Sequence, residues 1–251
     1  SDSSTKLIES NVVQVQVAEV AGITVTDIGF TEPNNGTVDE GDTVFFDFVL
    51  TNVGNDPTQF VIPGVASITN GTQAGNIQII EYDADGTGAG AAEDLSGSNI
   101  TVPSVGDNTG NLLNGVANTN NGSIPAGGSI TVRVPVTAGV AGLDLTVTLG
   151  DTVATDGQNE VYVAGTNDVY TQDNTGTTND DTDGAPINNE REAEDSLTVA
   201  IAASTPTTDY GDAPSAYGDA SHANPGAPTV YLGSTIDGES ATQLGGDAGA
   251  G

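Results

Sequence analysis

The sequence predicts an all-β protein, an antiparallel β-sandwich with long acidic loops. Apolar and polar residues alternate along many short segments, as in Val13-Gln14-Val15-Gln16-Val17 and again at residues 44–53. That is the period of a strand with one buried face. Clusters of Gly, Asn and Asp separate these segments and mark turns. Stretches rich in Leu, Glu, Lys and Arg at helical spacing are missing, so many short strands pairing antiparallel in two packed layers is the expected architecture.

The elements follow in order. Residues 12–17 read as a first strand, and Ile23, Val25 and Ile28 as a second, with a break near Ala21-Gly22. Asn34-Asn35-Gly36 and Glu40-Gly41-Asp42 are turns. Residues 44–53, with Phe46, Phe48 and Leu50 on one face, form the strongest strand. Further strands are expected at 58–68, 76–83, 98–102, 129–137, 143–149, 159–163 and 196–202. After Ser204 the composition turns rich in Pro, Gly and Asp, and only residues 229–236 (TVYLGSTI) read as a strand. The expected organisation is an N-terminal tail and strand over 1–20, a sandwich over 21–203, and a linker with a short C-terminal module over 204–251. The last segment holds too little apolar content for a core of its own.

Charge narrows the function. The chain of 251 residues carries 35 Asp and Glu against 3 Lys and Arg, a formal net charge of −32. Nucleic acid is excluded as a partner, because phosphate binding needs clustered Lys and Arg. Docking on anionic lipid needs polybasic segments, and no run of about 20 apolar residues offers direct membrane insertion. Cysteine is absent, which excludes a disulfide scaffold and thiol chemistry but not secretion, since metal ions also cross-link surface proteins. Methionine is absent too, so Ser1 is expected to follow a processing site or an artificial boundary.

Catalysis is not expected. His222 is the only histidine, and its acidic and hydroxyl neighbours Asp219 and Ser221 lie too close along the chain for triad geometry. No G-x-S-x-G elbow accompanies it. One histidine is too few for a zinc site without cysteines. Paired carboxylates for glycoside hydrolysis are plentiful, but aromatic residues make up 4% and tryptophan is absent, which leaves little stacking surface for sugar.

Hard-cation binding fits the composition better, because calcium takes six to eight oxygen ligands from carboxylates, amides and carbonyls. Three clusters are candidates. Glu81, Asp83 and Asp85 alternate before Gly86, either as the opening of a calcium loop or as a strand end with solvated acids. The spacing does not close as an EF-hand, since Ala92 stands where the closing acid is needed. Asp173, Asp180, Asp181 and Asp183 crowd a stretch without apolar anchors, as calcium ligands or as a mobile acidic loop with Arg191 as its counter-ion. Asp209, Asp212, Asp237 and Glu239 surround the Tyr210-Gly211 and Ala213-Pro214 turns, as a structural cluster, with or without metal, or as a solvated linker.

The alternating N-terminal strand is the other candidate feature. It either belongs to its own sheet or is donated to a neighbouring subunit, which links copies into a filament through main-chain hydrogen bonds.

Two resemblances sharpen these expectations. DEGDTVFFDFVLTNVGNDPTQFVIPG with IPAGGSITVRVPV, at roughly residues 20–203, resembles the Ig-like repeat domains of bacterial surface proteins. The stretch NDVYTQDNTGT with GAPINNEREAE is similar to acidic insertions in cyanobacterial members. DYGDAPSAYGDASH followed by PTVYLGSTIDGES resembles the start of a GEVED-type module, whose acidic second half is not in this chain. The resemblance implies an Ig-like sandwich, secretion to a bacterial cell surface or extracellular filament, a non-enzymatic structural role, and partners that are copies of the chain or neighbouring repeats. The alternative is a calcium-dependent adhesin domain that holds a glycan.

Overall fold

A computed structural model describes residues 20–34, 36–84, 95, 98–116, 122–172 and 190–203, together with the backbone of Thr207–Gly211 and Ala220–Asn224. The described strands are β1 (Ile23–Thr31), β2 (Thr43–Asn52), β3 (Gln59–Ile62), β4 (Ser67–Thr69), β5 (Gly71–Gln73), β6 (Gln78–Asp83), β7 (Ile100–Thr101), β8 (Asp107–Asn108), β9 (Ser129–Ala138), β10 (Asp144–Leu149), β11 (Glu160–Val161), β12 (Tyr170–Gln172), β13 (Arg191–Glu192), β14 (Asp195–Ala200), β15 (Thr207–Gly211) and β16 (Ala220–Asn224). One short helix, α1 (Thr109–Leu112), is capped by the Asn108 side chain, which accepts from the Asn111 N–H at 3.0 Å.

The largest sheet runs β1-β2-β9-β6-β7, and β5 pairs the end of β9 that β6 leaves free. A second sheet runs β14-β10-β4, a third β11-β13-β12-β3-β8, and β15 and β16 form a hairpin pair. All described pairings are antiparallel. The alternation read in the sequence explains the packing. Val44, Phe46, Phe48 and Leu50 of β2 and Ile130, Val132, Val134 and Val136 of β9 are buried on one face. They join Phe60 and Ile62 of β3 and Leu145, Val147 and Leu149 of β10 in one hydrophobic cluster. Each such side chain contributes roughly 1.5–3 kcal/mol on burial. The result is a β-sandwich-like all-β architecture.

The turn after β2 explains the Thr51-Asn52-Val53-Gly54 motif. Asn52 is fully buried. Its amide donates to the carbonyls of Asp56 at 2.8 Å and Ile124 at 2.7 Å, and its Oδ1 accepts from the Gly54 N–H at 2.9 Å. Gly54 passes so close to the chain before β1 that an added Cβ would lie 2.4 Å from the Val20 carbonyl oxygen.

Among the described residues β1 is an edge strand, and side chains close its edge. The N–H groups of Ile23, Val25 and Asp27 donate to Asn159 Oδ1 at 3.4 Å, Gln158 Oε1 at 2.8 Å and Asp195 Oδ2 at 2.8 Å. Alternate ladder donors are thereby satisfied without another strand, which removes the template that an open edge presents. A bulge between Asp27 and Gly29, with Gly29 at φ 113°, shifts the register before pairing resumes through Thr31.

Two expectations need correction. Residues 58–68 are not one strand. Pro63 lacks the N–H a ladder needs, and an added Cβ at Gly64 would lie 2.2 Å from the Ser104 backbone, so β3 and β4 part into different sheets. Tyr210-Gly211 is not a turn but the end of β15, paired with Ser221 and Ala220 of β16. The acids that Arg191 was expected to neutralise, at 173–183, lie outside the described residues. The expected strands at 12–17 and 229–236 lie outside the described residues.

Candidate functional site

Of the acids that the sequence singled out, Glu81 and Asp83 are described with their side chains. Both lie on β6, opposite Thr131 and Ser129 of β9. A bulge between Ile79 and Glu81 turns Ile79 and Tyr82 into the core and leaves Glu81 and Asp83 on the other face. Thr131 Oγ1 donates to Glu81 Oε2 at 3.1 Å. The pair stands at the end of β6, yet Glu81 is partly buried and Asp83 is only 8% exposed, so neither acid is freely solvated. Asp85, Asp173, Asp180, Asp181, Asp183, Asp212, Asp237 and Glu239 lie outside the described residues, and Asp209 falls on β15, where the backbone alone is described. Among the described residues no three His, Cys, Asp or Glu side chains close on one metal position.

A different set of acids gathers around the loop between β11 and β12. Glu192 projects from β13, Asp151 follows β10, and Asp168 precedes β12. Three backbone N–H groups of the loop reach them: Val163 donates to Glu192 Oε2 at 3.1 Å, Gly165 to Asp168 Oδ2 at 2.7 Å, and Thr166 to Asp151 Oδ2 at 3.1 Å. Each carboxylate retains a second oxygen. Glu192 Oε1, Asp168 Oδ1 and the neighbouring amide oxygen Asn167 Oδ1 are buried without a hydrogen-bond partner. Glu192 is 1% exposed. Burial pushes its carboxyl above the ordinary value, the Val163 N–H opposes that, and the charges of Asp168, Asp151 and Glu160 add to the rise.

A cleft of about 450 Å³ opens beside this cluster, lined in part by Asp107, Asn108, Tyr162, Asn167, Asp168 and Gln172. The rings of Tyr162 and Tyr170 stack at 4.1 Å with an interplanar angle of 19°. Asn108 Nδ2 donates to Gln172 Oε1 at 2.8 Å, which fixes two amides at the rim. Desolvation, with Tyr170 and Asp168 nearby, pushes the Tyr162 hydroxyl up to about 12, so it remains a proton donor at neutral pH. Aromatic carbon, amides and a carboxylate in one cleft suit a polyhydroxylated ligand.

The sequence did not single out Asp151, Asp168 and Glu192, because three separate strands bring them together and no local spacing announces it. Asn167-Asp168 after Gly165 is a turn signal at most. The fold and this loop define a β-sandwich-like all-β protein with a carboxylate cluster beside a tyrosine-lined cleft. No protein-family model matches the chain, and no curated protein matches it.

Proposed function

We propose that the chain is a non-enzymatic, extracellular structural module of a bacterial surface, an Ig-like sandwich stabilised by calcium that assembles through β-strand contacts into a filament or array. The observation that carries this reading is how the described acids are used. They hold loops: Glu32 accepts from the N–H groups of Asn34 and Gly36, Glu194 from those of Thr152 and Asp156, and Asp151, Asp168 and Glu192 from the loop after β11. Such employment of carboxylates is architectural, and a chain with a net charge of −32 gains most from a cation that offsets their repulsion. The resemblance of residues 20–203 to surface repeats supports the same reading, as does that of the C-terminal segment to a GEVED-type module. With the β1 edge occupied by side chains, a donated N-terminal strand pairs at another edge.

The test is sedimentation of the full chain, and of a chain lacking residues 1–19, in calcium and in chelator. Assembly of the full chain alone, promoted by calcium, is the expected result. A full chain that stays monomeric in both buffers removes the filament from the account.

The Tyr162–Tyr170 cleft favours a second reading, an adhesin domain that holds a glycan in a calcium-dependent manner. Glycan-array binding that calcium supports and Tyr162→Ala abolishes decides for it.

A further inference from the structure

The loop between β11 and β12 holds more anionic oxygen than its hydrogen bonds use. Asp151 Oδ2 and Asp168 Oδ1 flank one point, since a Cβ added at Gly165 would lie 2.7 Å from the first and 2.5 Å from the second. Glu192, 1% exposed, brings a third carboxylate to the same loop, where its Oε2 accepts from the Val163 N–H at 3.1 Å. Three acceptor oxygens, Asn167 Oδ1, Asp168 Oδ1 and Glu192 Oε1, are buried and unpartnered. A buried acceptor without a donor is costly, and all three belong to residues that lie in the 163–168 loop or hold it, Glu192 through the Val163 N–H. Arg191 is not their donor, because neighbours on a strand point to opposite faces and its Nε is unpartnered as well.

We infer that Asp151, Asp168 and Glu192, with the Asn167 amide oxygen, bind one hard divalent cation, calcium, against the loop at residues 163–168. All four donors are oxygens and three are anionic, the set that calcium takes. The loop N–H groups of Val163, Gly165 and Thr166 each hold one oxygen of a carboxylate, which fixes its orientation in the way that outer partners orient metal ligands. The three carboxylates do not close on one point as they stand. Like charges hold one another off, and a divalent ion reverses the sign of that interaction. The inference rests on the calcium stabilisation proposed above and gives it a location.

The experiment is thermal melting of the full chain in chelator and in excess calcium, for the wild type, Glu192→Gln and Asp168→Asn, with calcium per chain counted by equilibrium dialysis. The wild type is expected to gain roughly 5–10 °C at a calcium concentration about 100 times its dissociation constant. Both variants lose that gain and bind one ion fewer. In chelator they melt no lower than the wild type, because each substitution removes a like charge and keeps the shape. Variants that keep the full gain and the full ion count overturn this site while leaving calcium stabilisation standing. Variants that lose the same number of degrees in both buffers show carboxylates that only hold the loop, and also overturn it. A wild type indifferent to calcium removes the ion from the protein altogether. Circular dichroism in chelator establishes that each variant is folded, and either variant alone decides the outcome.

Discussion

Asp47 and Arg133 stand directly opposite each other on β2 and β9, joined by hydrogen bonds of 2.8 Å from Nε to Oδ1 and 2.7 Å from the second guanidinium nitrogen to Oδ2. The guanidinium also lies 5.4 Å from the centre of the Phe45 ring. In a chain with 3 basic residues, this pair sits at the centre of the largest sheet. Its two side chains are 29% and 13% exposed, so solvent screens it in part. The Asp47 hydrogen bond, opposed by burial and helped by the charge of Asp47, holds the Arg133 pKa above its ordinary value.

Arg133→Ala is therefore expected to cost about 1 kcal/mol, read as a lower midpoint in urea unfolding. Arg133→Lys keeps the charge but loses the two-pronged geometry, and should recover only part of the loss. Equal midpoints for all three proteins would show that the pair contributes nothing.

Asp27 supplies a pH dependence. Burial first, and then the Asp195 carboxylate, hold its pKa above the ordinary 3.8. A carboxyl of this kind binds its proton more tightly in the folded chain than in the unfolded one. The resulting cost to stability is absent below 3.8, builds as pH rises towards the folded value, and is full above it. Asp27→Asn removes that cost. The variant should be more stable than the wild type at neutral pH, with the difference vanishing in acid, in denaturation curves taken across the pH range. A gain that persists in acid has another origin.

The closed edge of β1 makes a third prediction. Gln158→Ala, Asn159→Gly and Asp195→Ala together strip the side-chain acceptors from Ile23, Val25 and Asp27. Asn159 sits at φ 54°, where glycine is at ease, so the turn survives. The bared strand should recruit another edge, giving concentration-dependent self-association in sedimentation velocity. Behaviour identical to the wild type would mean that water serves those donors equally well.

Legibility in the sequence followed the length of the element. β2 and β9 alternate over ten residues each, long enough for the period to declare the buried face. β12 and β13 have three and two residues, too short for any period, and pairing alone makes them strands. The division of residues 58–68 was readable in principle from Pro63-Gly64, but the close approach of Ser104 that fixes it is tertiary. The same holds for the site. Adjacent acids drew attention to local clusters, whereas Asp151, Asp168 and Glu192 meet only after β10, β12 and β13 are in place.

Asn52 binds distant parts of the chain to one fate. Its side chain holds Ile124, 72 residues away, and its backbone pairs with the following turn, N–H to the Gly128 carbonyl at 2.9 Å and carbonyl to the Gly127 N–H at 2.8 Å. Thr58 and Ile124 exchange two further hydrogen bonds. Opening the turn before β9 thus requires breaking the end of β2. Amide protons at Ile124 and Gly127 then exchange with solvent only through the large-scale opening that also frees the central strands, on the same slow clock as the core and not on that of a surface loop.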